Sequence, residues 1–260
     1  MAEPDYVALN RASWTTANAE YTDRAARDAW AREEIGWGQW HQPEREIRIL
    51  PEVTGKDVVE LGCGTAYFGA WLKRAGARRV VGVDVTPAQL DTARRMDEEF
   101  GVGLELIEAN AEDVPLPDES FDVVVSEYGA SIWCDPKLWI AEAARLLRPG
   151  GELVFMRGST LRNLCVPESG PATDRLLLPQ KDLYRVDWQE GDMAGSEFHP
   201  PMGEMFAILR DNGFELLDYR ELYAPDDAET HEYYAEPSAE WARKWPAEEI
   251  WRARLRPRSS

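Results

Sequence analysis

Two carboxylates and a glycine turn are the parts of this 260-residue chain whose spacing most suggests chemistry. Glu60 ends a short apolar run and is followed by Gly62-Cys63-Gly64, and Asp84 ends the next apolar run. Glycines let a backbone turn approach a ligand at the carboxyl end of a strand, where open α/β sheets bind small molecules. A carboxylate on the second strand can accept hydrogen bonds from both hydroxyls of a ribose, each worth about 1.5–3 kcal/mol. The spacing therefore predicts a site for a ligand that contains a nucleoside.

The residues around the turn favour a cationic cofactor over a dinucleotide. A dinucleotide site places a pyrophosphate at the turn and needs a third glycine for close helix–strand packing, but the third position here is Tyr67. Glu60 would also lie close to the phosphates, whereas a cofactor with an ammonium group and a sulfonium has no such conflict. A second interpretation stays open, in which Asp84 only caps the helix that starts near Pro87 and Glu60 is a strand-end charge.

The two runs resemble the first two motifs of the class I S-adenosylmethionine-dependent methyltransferases. Residues 58–66, Val-Val-Glu-Leu-Gly-Cys-Gly-Thr-Ala, are similar to the first motif, with Ala66 in the place of the usual third glycine. Residues 80–90 are similar to the second motif, with Asp84 in the ribose-binding place.

Two later segments extend this resemblance. Residues 108–122 are similar to the adenine-edge motif, with Asn110 in the place of the usual Asp, and an amide oxygen can still accept from the adenine amino group. Residues 146–151 are similar to the turn before the fifth strand. Together the motifs cover roughly residues 55–157, and they indicate little about the substrate.

The resemblance implies S-adenosyl-L-methionine as the cofactor and S-adenosyl-L-homocysteine as its product. It also implies a Rossmann-like, doubly wound α/β fold with a mostly parallel seven-stranded sheet and an antiparallel edge strand. The residues that it places at the cofactor are Glu60, Gly62, Cys63, Gly64, Asp84, Val85, Asn110, Ala111, Glu112, Ser126 and Glu127.

Composition argues against several other classes of protein. The formal net charge is −19, and nucleic-acid binding needs Lys and Arg at the phosphates, so a nucleic-acid partner is not expected. The three cysteines are widely spaced and show neither a disulfide nor a metal pattern. We find no signal-peptide pattern and no apolar run of membrane-spanning length. We therefore expect a cytoplasmic protein with a small-molecule substrate and no membrane or metal partner, and the sequence gives no indication of its oligomeric state.

Alternating strand and helix patterns predict the order of the elements. Apolar, β-branched runs predict strands near residues 57–61, 79–84, 104–108, 121–126 and 151–156. Helical patterns lie between them, and such alternation is typical of a parallel sheet covered on both faces. Residues 1–50 are expected to form a helical, aromatic cover, and residues 51–260 the methyltransferase domain. A lid insertion is expected at about 158–200, because that stretch is long and has no clear period.

Aromatic residues near the predicted strand ends are candidates for the substrate site. The chain has eleven tryptophans, and their ordinary role is to pack appendages onto a sheet. Some could instead line a pocket, because a sulfonium or a cationic substrate is attracted to aromatic faces by about 0.5–2 kcal/mol per contact. The candidates are Trp14, Trp37, Trp40, Tyr128 and Trp133.

Three histidines and one glutamate are the candidate catalytic groups. His41, His199 and His231 all lie outside the nucleotide-binding core, and histidine is the commonest general base near neutral pH. We rank His41 first, because it follows a flexible turn with aromatic neighbours, then His199 and then His231. Glu127 follows the fourth predicted strand and is a candidate to approach the cofactor or to orient a substrate. Each of these residues could equally be a packing or surface residue.

The expected reaction is methyl transfer from S-adenosylmethionine to an oxygen or nitrogen of a small molecule by in-line displacement. The alternatives are an RNA or protein methyltransferase, a regulatory protein that binds the cofactor without turnover, and a nicotinamide-dependent dehydrogenase. The last of these is opposed by Tyr67 and Glu60.

Overall fold

A computed structural model of the protein describes residues 4–167, 170–190 and 193–257. The strands in chain order are β1 (Gly36–Trp37), β2 (Gln42–Pro43), β3 (Asp57–Leu61), β4 (Arg79–Asp84), β5 (Glu105–Glu108), β6 (Phe121–Glu127), β7 (Leu147–Gly158), β8 (Arg185–Glu190), β9 (Met193–Phe198), β10 (Phe214–Leu222) and β11 (Glu248–Leu255). The helices in chain order are α1 (Asp5–Ala17), α2 (Asp23–Ala31), α3 (Glu44–Ile47), α4 (Tyr67–Arg74), α5 (Pro87–Phe100), α6 (Ala130–Trp133), α7 (Pro136–Leu146), α8 (Thr160–Cys165), α9 (Met202–Asp211) and α10 (Ala239–Ala242). A π-helical turn, Asn18–Thr22, joins α1 to α2.

Seven strands form the central sheet, in the order β10-β11-β7-β6-β3-β4-β5. The strands from β3 to β7 pair in parallel, whereas β11 is antiparallel to both β7 and β10. The predicted mostly parallel, doubly wound sheet is therefore confirmed. Its antiparallel strand lies one place in from the edge, because β10 forms the edge itself.

Both faces of the sheet are covered, which explains the apolar strands. Every residue of β3 is buried, as expected for a central parallel strand. One face packs against a core that contains Trp139 and Trp251, and the other packs against a core that contains Phe68 and Trp71. Because both faces of these strands are buried, apolar residues such as valine occur throughout them, and apolar and polar residues do not alternate.

The carboxyl ends of the parallel strands meet at one edge of the sheet, and β11 brings a distant part of the chain to the same edge. Because β11 runs in the opposite direction, its first residue, Glu248, pairs with Gly158 at the end of β7. Residues near position 248 thus lie beside the loops that follow β6 and β7. This edge is where ligands bind in open α/β sheets.

The N-terminal segment and the insertion after β7 both pack onto this framework. Helix α1 contacts β9 and α5, and α2 contacts α4 and α5. The insertion, predicted without regular structure, contains α8 and an antiparallel hairpin in which β8 pairs with β9 from Arg185↔Phe198 onward. The alternation of Val186 and Trp188 was the available sequence sign of this hairpin.

Candidate active site

The glycine turn after β3 has a backbone that other residues cannot easily adopt. Gly62 and Gly64 have φ values of +73° and +53°, and their left-handed conformation favours glycine. A Cβ atom on Gly62 would lie 2.5 Å from the nitrogen of Ala130 at the start of α6, whereas nothing lies within 3.7 Å of the corresponding position on Gly64, whose nearest neighbour is 3.8 Å away. Gly62 is therefore fixed by close packing, whereas the space beside Gly64 is open.

Asp84, at the end of β4, is held in place by backbone donors. The N–H groups of Gly64 and Thr86 donate to its two carboxylate oxygens, each across 2.8 Å. Burial is the largest influence on this carboxyl group and raises its pKa, and the backbone hydrogen bonds oppose that rise. Because each oxygen can accept more than one hydrogen bond, the carboxylate can still bind the hydroxyls of a ribose.

The segment after β5 is tied to two helices through Glu112. Tyr6 on α1 donates its hydroxyl hydrogen to the Glu112 carboxylate at 2.7 Å, and the N–H of Asp135 donates at 2.7 Å. Asn110 exchanges two hydrogen bonds with Glu112, at 3.1 and 3.2 Å. Much of the acceptor capacity of Glu112 is therefore used by the protein, and contact of Asn110 or Glu112 with the adenine stays a prediction.

Other predicted cofactor residues serve the local structure as well. Oε2 of Glu60 accepts from the N–H of Gly69 at 2.8 Å, and Glu60 is only 2% exposed. Ser126 donates to the carbonyl oxygen of Leu61 at 2.8 Å and is fully buried. Of the remaining predicted cofactor residues, Cys63 and Ala111 are buried, and Val85 is half-buried beside the Asp84 turn.

Two carboxylates stand side by side at the edge, and each accepts from a tyrosine hydroxyl. Tyr67 donates to Oε2 of Glu127 at 2.7 Å, and Tyr128 donates to Oε1 of Glu248. Consecutive backbone N–H groups also reach them, because Gly38 donates to Glu127 and the next residue along the chain donates to Glu248. The edge thus brings two carboxyl groups close together.

Burial of this pair changes its protonation. Burial raises the pKa of Glu127 to about 7, and the charge of Glu248 adds to this rise. Burial likewise raises the pKa of Glu248. Carboxyl groups with raised pKa values at a ligand-binding edge are typical of functional sites.

Hydrogen bonds from α1 and aromatic contacts hold the β8–β9 hairpin against this edge. Asn10 exchanges two hydrogen bonds with the backbone of Ser196 and donates to the carbonyl oxygen of Trp133 at 3.2 Å. Trp133 packs edge-on against Trp14 and Trp188, with ring centroids 5.3 and 6.4 Å apart. Two of the predicted substrate residues, Trp14 and Trp133, are thus brought together with Trp188.

The structure places Trp37 and Trp40 elsewhere. Trp37 is fully buried in the hydrophobic core, packs against Phe68 and donates to Oε2 of Glu44 at 2.6 Å. Trp40 is half-buried and donates to the carbonyl oxygen of Glu229 at 3.0 Å. Both have clear packing roles, and a contact with substrate stays a prediction for each.

His199 lies just after β9 and has one free ring nitrogen. Its Nε2 is 2.7 Å from Oε2 of Glu197, while its Nδ1 is buried with no partner among the described residues. The side chain is only 5% exposed. A carboxylate can only accept, so Nε2 carries the hydrogen and Nδ1 has a free lone pair in the neutral ring.

His231 has both ring nitrogens occupied. Its Nδ1 accepts from the N–H groups of Tyr233 and Tyr234, at 3.0 and 2.9 Å, and its Nε2 lies 2.9 Å from the hydroxyl of Tyr21. The pattern assigns the hydrogen to Nε2, which then donates to Tyr21. His231 thus joins the N-terminal cover to the loop before α10.

His41 lies at the surface with Nε2 against the guanidinium of Arg32. Although the residue as a whole is exposed, the protein around its ring desolvates it and, together with the charges of Arg32 and His231, lowers its pKa to about 4. The three candidate histidines are therefore not brought to one place. His41 and His231 lie near each other, and His199 belongs to the hairpin.

Several buried polar atoms have no hydrogen-bond partner within the described part of the chain, and Nε of Arg162 is one of them. The charge of Arg162 acts to lower the pKa values of Tyr128, Glu197 and Glu248, so its guanidinium lies near all three side chains. We call the following set the acceptor side: Tyr128, Trp133, Arg162, Trp188, His199 and Glu248. Its unpartnered buried atoms, within the described part of the chain, are Arg162 Nε, Trp188 Nε1, His199 Nδ1 and Glu248 Oε2.

Comparison with known proteins identifies the framework of this site. The family described as a methyltransferase domain matches residues 59–155, which extend from β3 to β7 and contain the glycine turn, Asp84 and Asn110. Residues 59–155 form a methyltransferase domain of the class I, S-adenosylmethionine-dependent type. This methyltransferase domain uses S-adenosylmethionine as its cofactor, and the edge suits that cofactor because Asp84 can accept from ribose hydroxyls and the nearby carboxylates suit a cation.

Individual relatives match different lengths of this methyltransferase. A demethylmenaquinone methyltransferase from Thermus thermophilus is 35% identical over 113 residues, which are 43% of this chain and 51% of the relative, so the chain spans about half of that protein. The ubiquinone/menaquinone biosynthesis C-methyltransferase UbiE from Escherichia coli is 29% identical over 65% of this chain and 70% of its own length. An S-adenosylmethionine-dependent methyltransferase structure from Mesorhizobium loti has a TM-score of 0.61 and 25% identity, covering 80% of this chain and 94% of its own.

Other features of the methyltransferase surface do not coincide with this edge. Clefts of about 440 and 300 Å³ are lined by residues of β2, α3 and β10 and by residues around His41, not by the glycine turn or by Asp84. Among the described residues, no three or more His, Cys, Asp or Glu side chains are grouped so as to hold a metal ion. Nor does any helix in that part of the chain have the length and apolar character needed to cross a membrane.

Sequence reasoning missed much of the acceptor side of the methyltransferase. Glu248 was not predicted, because its position at the edge depends on the antiparallel direction of β11. Arg162 was not predicted, because its segment has no clear hydrophobic periodicity. Glu197 had an available sign, since it stands two residues before His199 in the sequence and alternate residues of a strand share a face. Asn10 looked like an ordinary helical residue.

Proposed function

We propose that this enzyme transfers the methyl group of S-adenosylmethionine to an oxygen or nitrogen atom of a small molecule bound at the acceptor side. The single observation that carries the proposal is the set of four unpartnered buried polar atoms there. Buried polar groups in folded proteins are nearly always hydrogen-bonded, so such a cluster at a ligand-binding edge indicates a polar ligand. These hydrogen-bond donors and acceptors suit a compact organic molecule that carries polar groups.

The enclosure of the acceptor side supports a small acceptor over a macromolecule. Glu248 is fully buried, and His199 is nearly so. The hairpin covers the edge through Asn10 and the tryptophan contacts. A nucleic acid or a folded protein would need an open surface, and the net charge of −19 opposes nucleic acid further. The names of the two relatives, which refer to quinone biosynthesis, also favour a small organic acceptor.

The chain's own residues would act mainly by positioning. When bound, the cofactor supplies an activated methyl group. Asp84 would accept from the ribose hydroxyls of the cofactor, and Asn110 would bind the adenine edge. The carboxylate of Glu127 would bind the cationic end of the cofactor. The hairpin would hold the acceptor on the far side of the methyl carbon and exclude water. Holding two reactants in line can supply roughly 7–11 kcal/mol of the barrier.

Two measurements test this function. S-adenosylhomocysteine should raise the melting temperature, with about 2.7 kcal/mol of added stability at a hundredfold excess over its dissociation constant. Radiolabelled methyl groups from the cofactor should then appear in the small-molecule fraction when the enzyme is incubated with a fractionated cell extract. Parallel reactions supply total RNA or extract protein as the acceptor.

The outcomes separate the alternatives. Label only in RNA or only in protein would refute a small acceptor. Binding of S-adenosylhomocysteine with no label transferred to any of the three fractions would indicate a regulatory protein without turnover. Mass spectrometry of a labelled small-molecule product identifies the acceptor atom, and a product methylated only on carbon would contradict the oxygen or nitrogen assignment.

A further inference from the structure

Resting on the proposed function, we infer that Glu197 and His199 form a proton-accepting pair for the acceptor and that the acceptor is a phenol or enol methylated on its hydroxyl oxygen. His199 would be the catalytic base, and Glu197 the residue that positions it. The inference starts from the free lone pair on Nδ1 of His199, which is buried and has no partner in the described part of the chain.

The hairpin geometry explains why the pair faces the acceptor side. Phe198 packs on the opposite face of β9, against Tyr6 and Tyr184, with ring centroids 5.0 and 6.1 Å apart. Glu197 and His199 flank it and contact each other at 2.7 Å, so they share the other face. The ring of Trp188 also covers that face, because a Cβ atom on Gly195 would lie 2.6 Å from it.

The state of Glu197 fits a positioning role. Burial alone would raise its pKa, but the hydrogen bond from Nε2 of His199 and the charge of Arg162 oppose that effect, and the pKa is lowered. Glu197 therefore stays ionised, keeps the hydrogen of His199 on Nε2 and would stabilise the imidazolium that forms when Nδ1 takes a proton. This is the arrangement by which a carboxylate orients a catalytic histidine.

The other candidate bases are less available. Nδ1 of His231 accepts two backbone N–H groups, and Nε2 of His41 lies against the cationic Arg32. Glu127 already accepts from Tyr67. Glu248 has an unpartnered Oε2, but its other oxygen already accepts from the hydroxyl of Tyr128 and from the N–H of Gln39.

The chemistry of the base selects the class of hydroxyl. An imidazole has an ordinary pKa of about 6.5, and a phenol one of about 10, so proton transfer between them is accessible within an active site. An aliphatic alcohol is a far weaker acid. A flat phenolic or enolic ring also suits the walls formed by Trp133 and Trp188, since aromatic rings pack favourably edge-to-face or offset.

The step balances without a further reactant. The hydroxyl proton moves to Nδ1 of His199, the acceptor oxygen forms a bond to the methyl carbon, and the methyl–sulfur bond breaks with its electron pair kept by sulfur. The products are a methyl ether, S-adenosylhomocysteine and a proton that His199 releases to solvent.

The test uses a coloured phenol, 4-nitrophenol, whose ionised form absorbs at longer wavelength than its neutral form. Added to the S-adenosylhomocysteine complex at a pH below its own pKa, it should bind and show the ionised spectrum. His199→Gln keeps a side-chain donor for Glu197 but has no base, and it should bind the probe in its neutral form. Glu197→Gln should weaken the ionised band, whereas the exposed Glu240→Gln removes an equal charge elsewhere and should leave it unchanged.

Turnover supplies the second readout. With labelled cofactor and a series of phenols, His199→Gln should lower kcat about a hundredfold or more, with an unchanged dissociation constant for S-adenosylhomocysteine. An equal ionised band in wild type and His199→Gln, or no binding of 4-nitrophenol, would overturn the inference. If amines are methylated and His199→Gln retains that activity, the proposed function stands while this inference fails.

Discussion

Asn10 and Ser196 exchange two hydrogen bonds, of 2.8 and 2.9 Å, although 186 residues separate them in the chain. Both side chains are buried, with at most 3% of their surface exposed. The same amide of Asn10 donates to the carbonyl oxygen of Trp133. One residue of α1 thus joins the N-terminal cover, the β8–β9 hairpin and the loop after β6.

Substitution of Asn10 by Ala should loosen the hairpin and spare the cofactor. The change leaves the N–H and C=O of Ser196 without partners, and each buried unpaired group costs about 1–3 kcal/mol. We expect KM for the acceptor to rise about tenfold or more, while the affinity for S-adenosylhomocysteine changes little. Hydrogen exchange should become faster in residues 194–199.

Thr15→Ala is the matched control for Asn10→Ala. Thr15 lies on the same helix and is exposed, and its hydroxyl donates to the carbonyl oxygen of Arg11. If Thr15→Ala raised KM as much as Asn10→Ala, the effect would belong to α1 as a whole and not to the link with Ser196.

The fold could be predicted because its determinants are local. Valine-rich strands, glycine turns and helix starts follow one another from residue 57 to residue 157, and each pattern reflects burial on two faces of a parallel sheet. The position of Asp84 could be predicted because it is the last residue of a strand that the sequence pattern predicts. The cofactor edge was therefore accessible from the sequence.

The acceptor side was less accessible because it is made from distant segments. Glu248 reaches the edge through an antiparallel pairing with β7, and Glu197 reaches it through a hairpin held by Asn10. No local pattern encodes such contacts. His199 was predicted as a candidate base and ranked after His41, whereas its partner and its unpaired nitrogen emerge from tertiary structure alone.

Substitution of Asp84 tests the ribose site. Asp84→Asn keeps one oxygen acceptor in place but removes the charge, and we expect it to weaken S-adenosylhomocysteine binding by roughly ten- to a hundredfold, as for the loss of one or two charged hydrogen bonds. Asp84→Ala should also destabilise the turn, because it leaves the N–H groups of Gly64 and Thr86 without their acceptors. Calorimetry measures both affinities.

The control for these variants is Asp91→Asn on the exposed face of α5. It removes the same charge from the same region, so a long-range electrostatic effect would appear in both variants. Unchanged affinity in Asp84→Asn would indicate that Asp84 serves only the turn, as the alternative interpretation of the sequence held.

The contact between Tyr21 and His231 predicts a local dependence on pH. Burial lowers the pKa of His231, and the nearby Glu232 opposes the shift. The folded protein therefore binds this proton less readily than the unfolded chain, so the contact is fully stable above about pH 6.5 and weakens as pH falls towards the lowered value. A proton on Nδ1 would face the two N–H groups that it now accepts from. Other charged groups around the contact are Glu20, Arg24, Arg32 and His41.

Hydrogen exchange in residues 230–235, corrected for the intrinsic effect of pH, should therefore accelerate severalfold between pH 7.5 and pH 5. Global melting is a poor measure, because the buried carboxyl groups of Glu60 and Glu127 have raised pKa values and change stability in the opposite direction. His231→Asn provides the decisive comparison. Its side-chain oxygen can accept the same two N–H groups, as in an Asx-turn, but it does not titrate in this range. The loop of that variant should lose its pH dependence, and an unchanged dependence would assign the effect to a neighbouring group instead of His231.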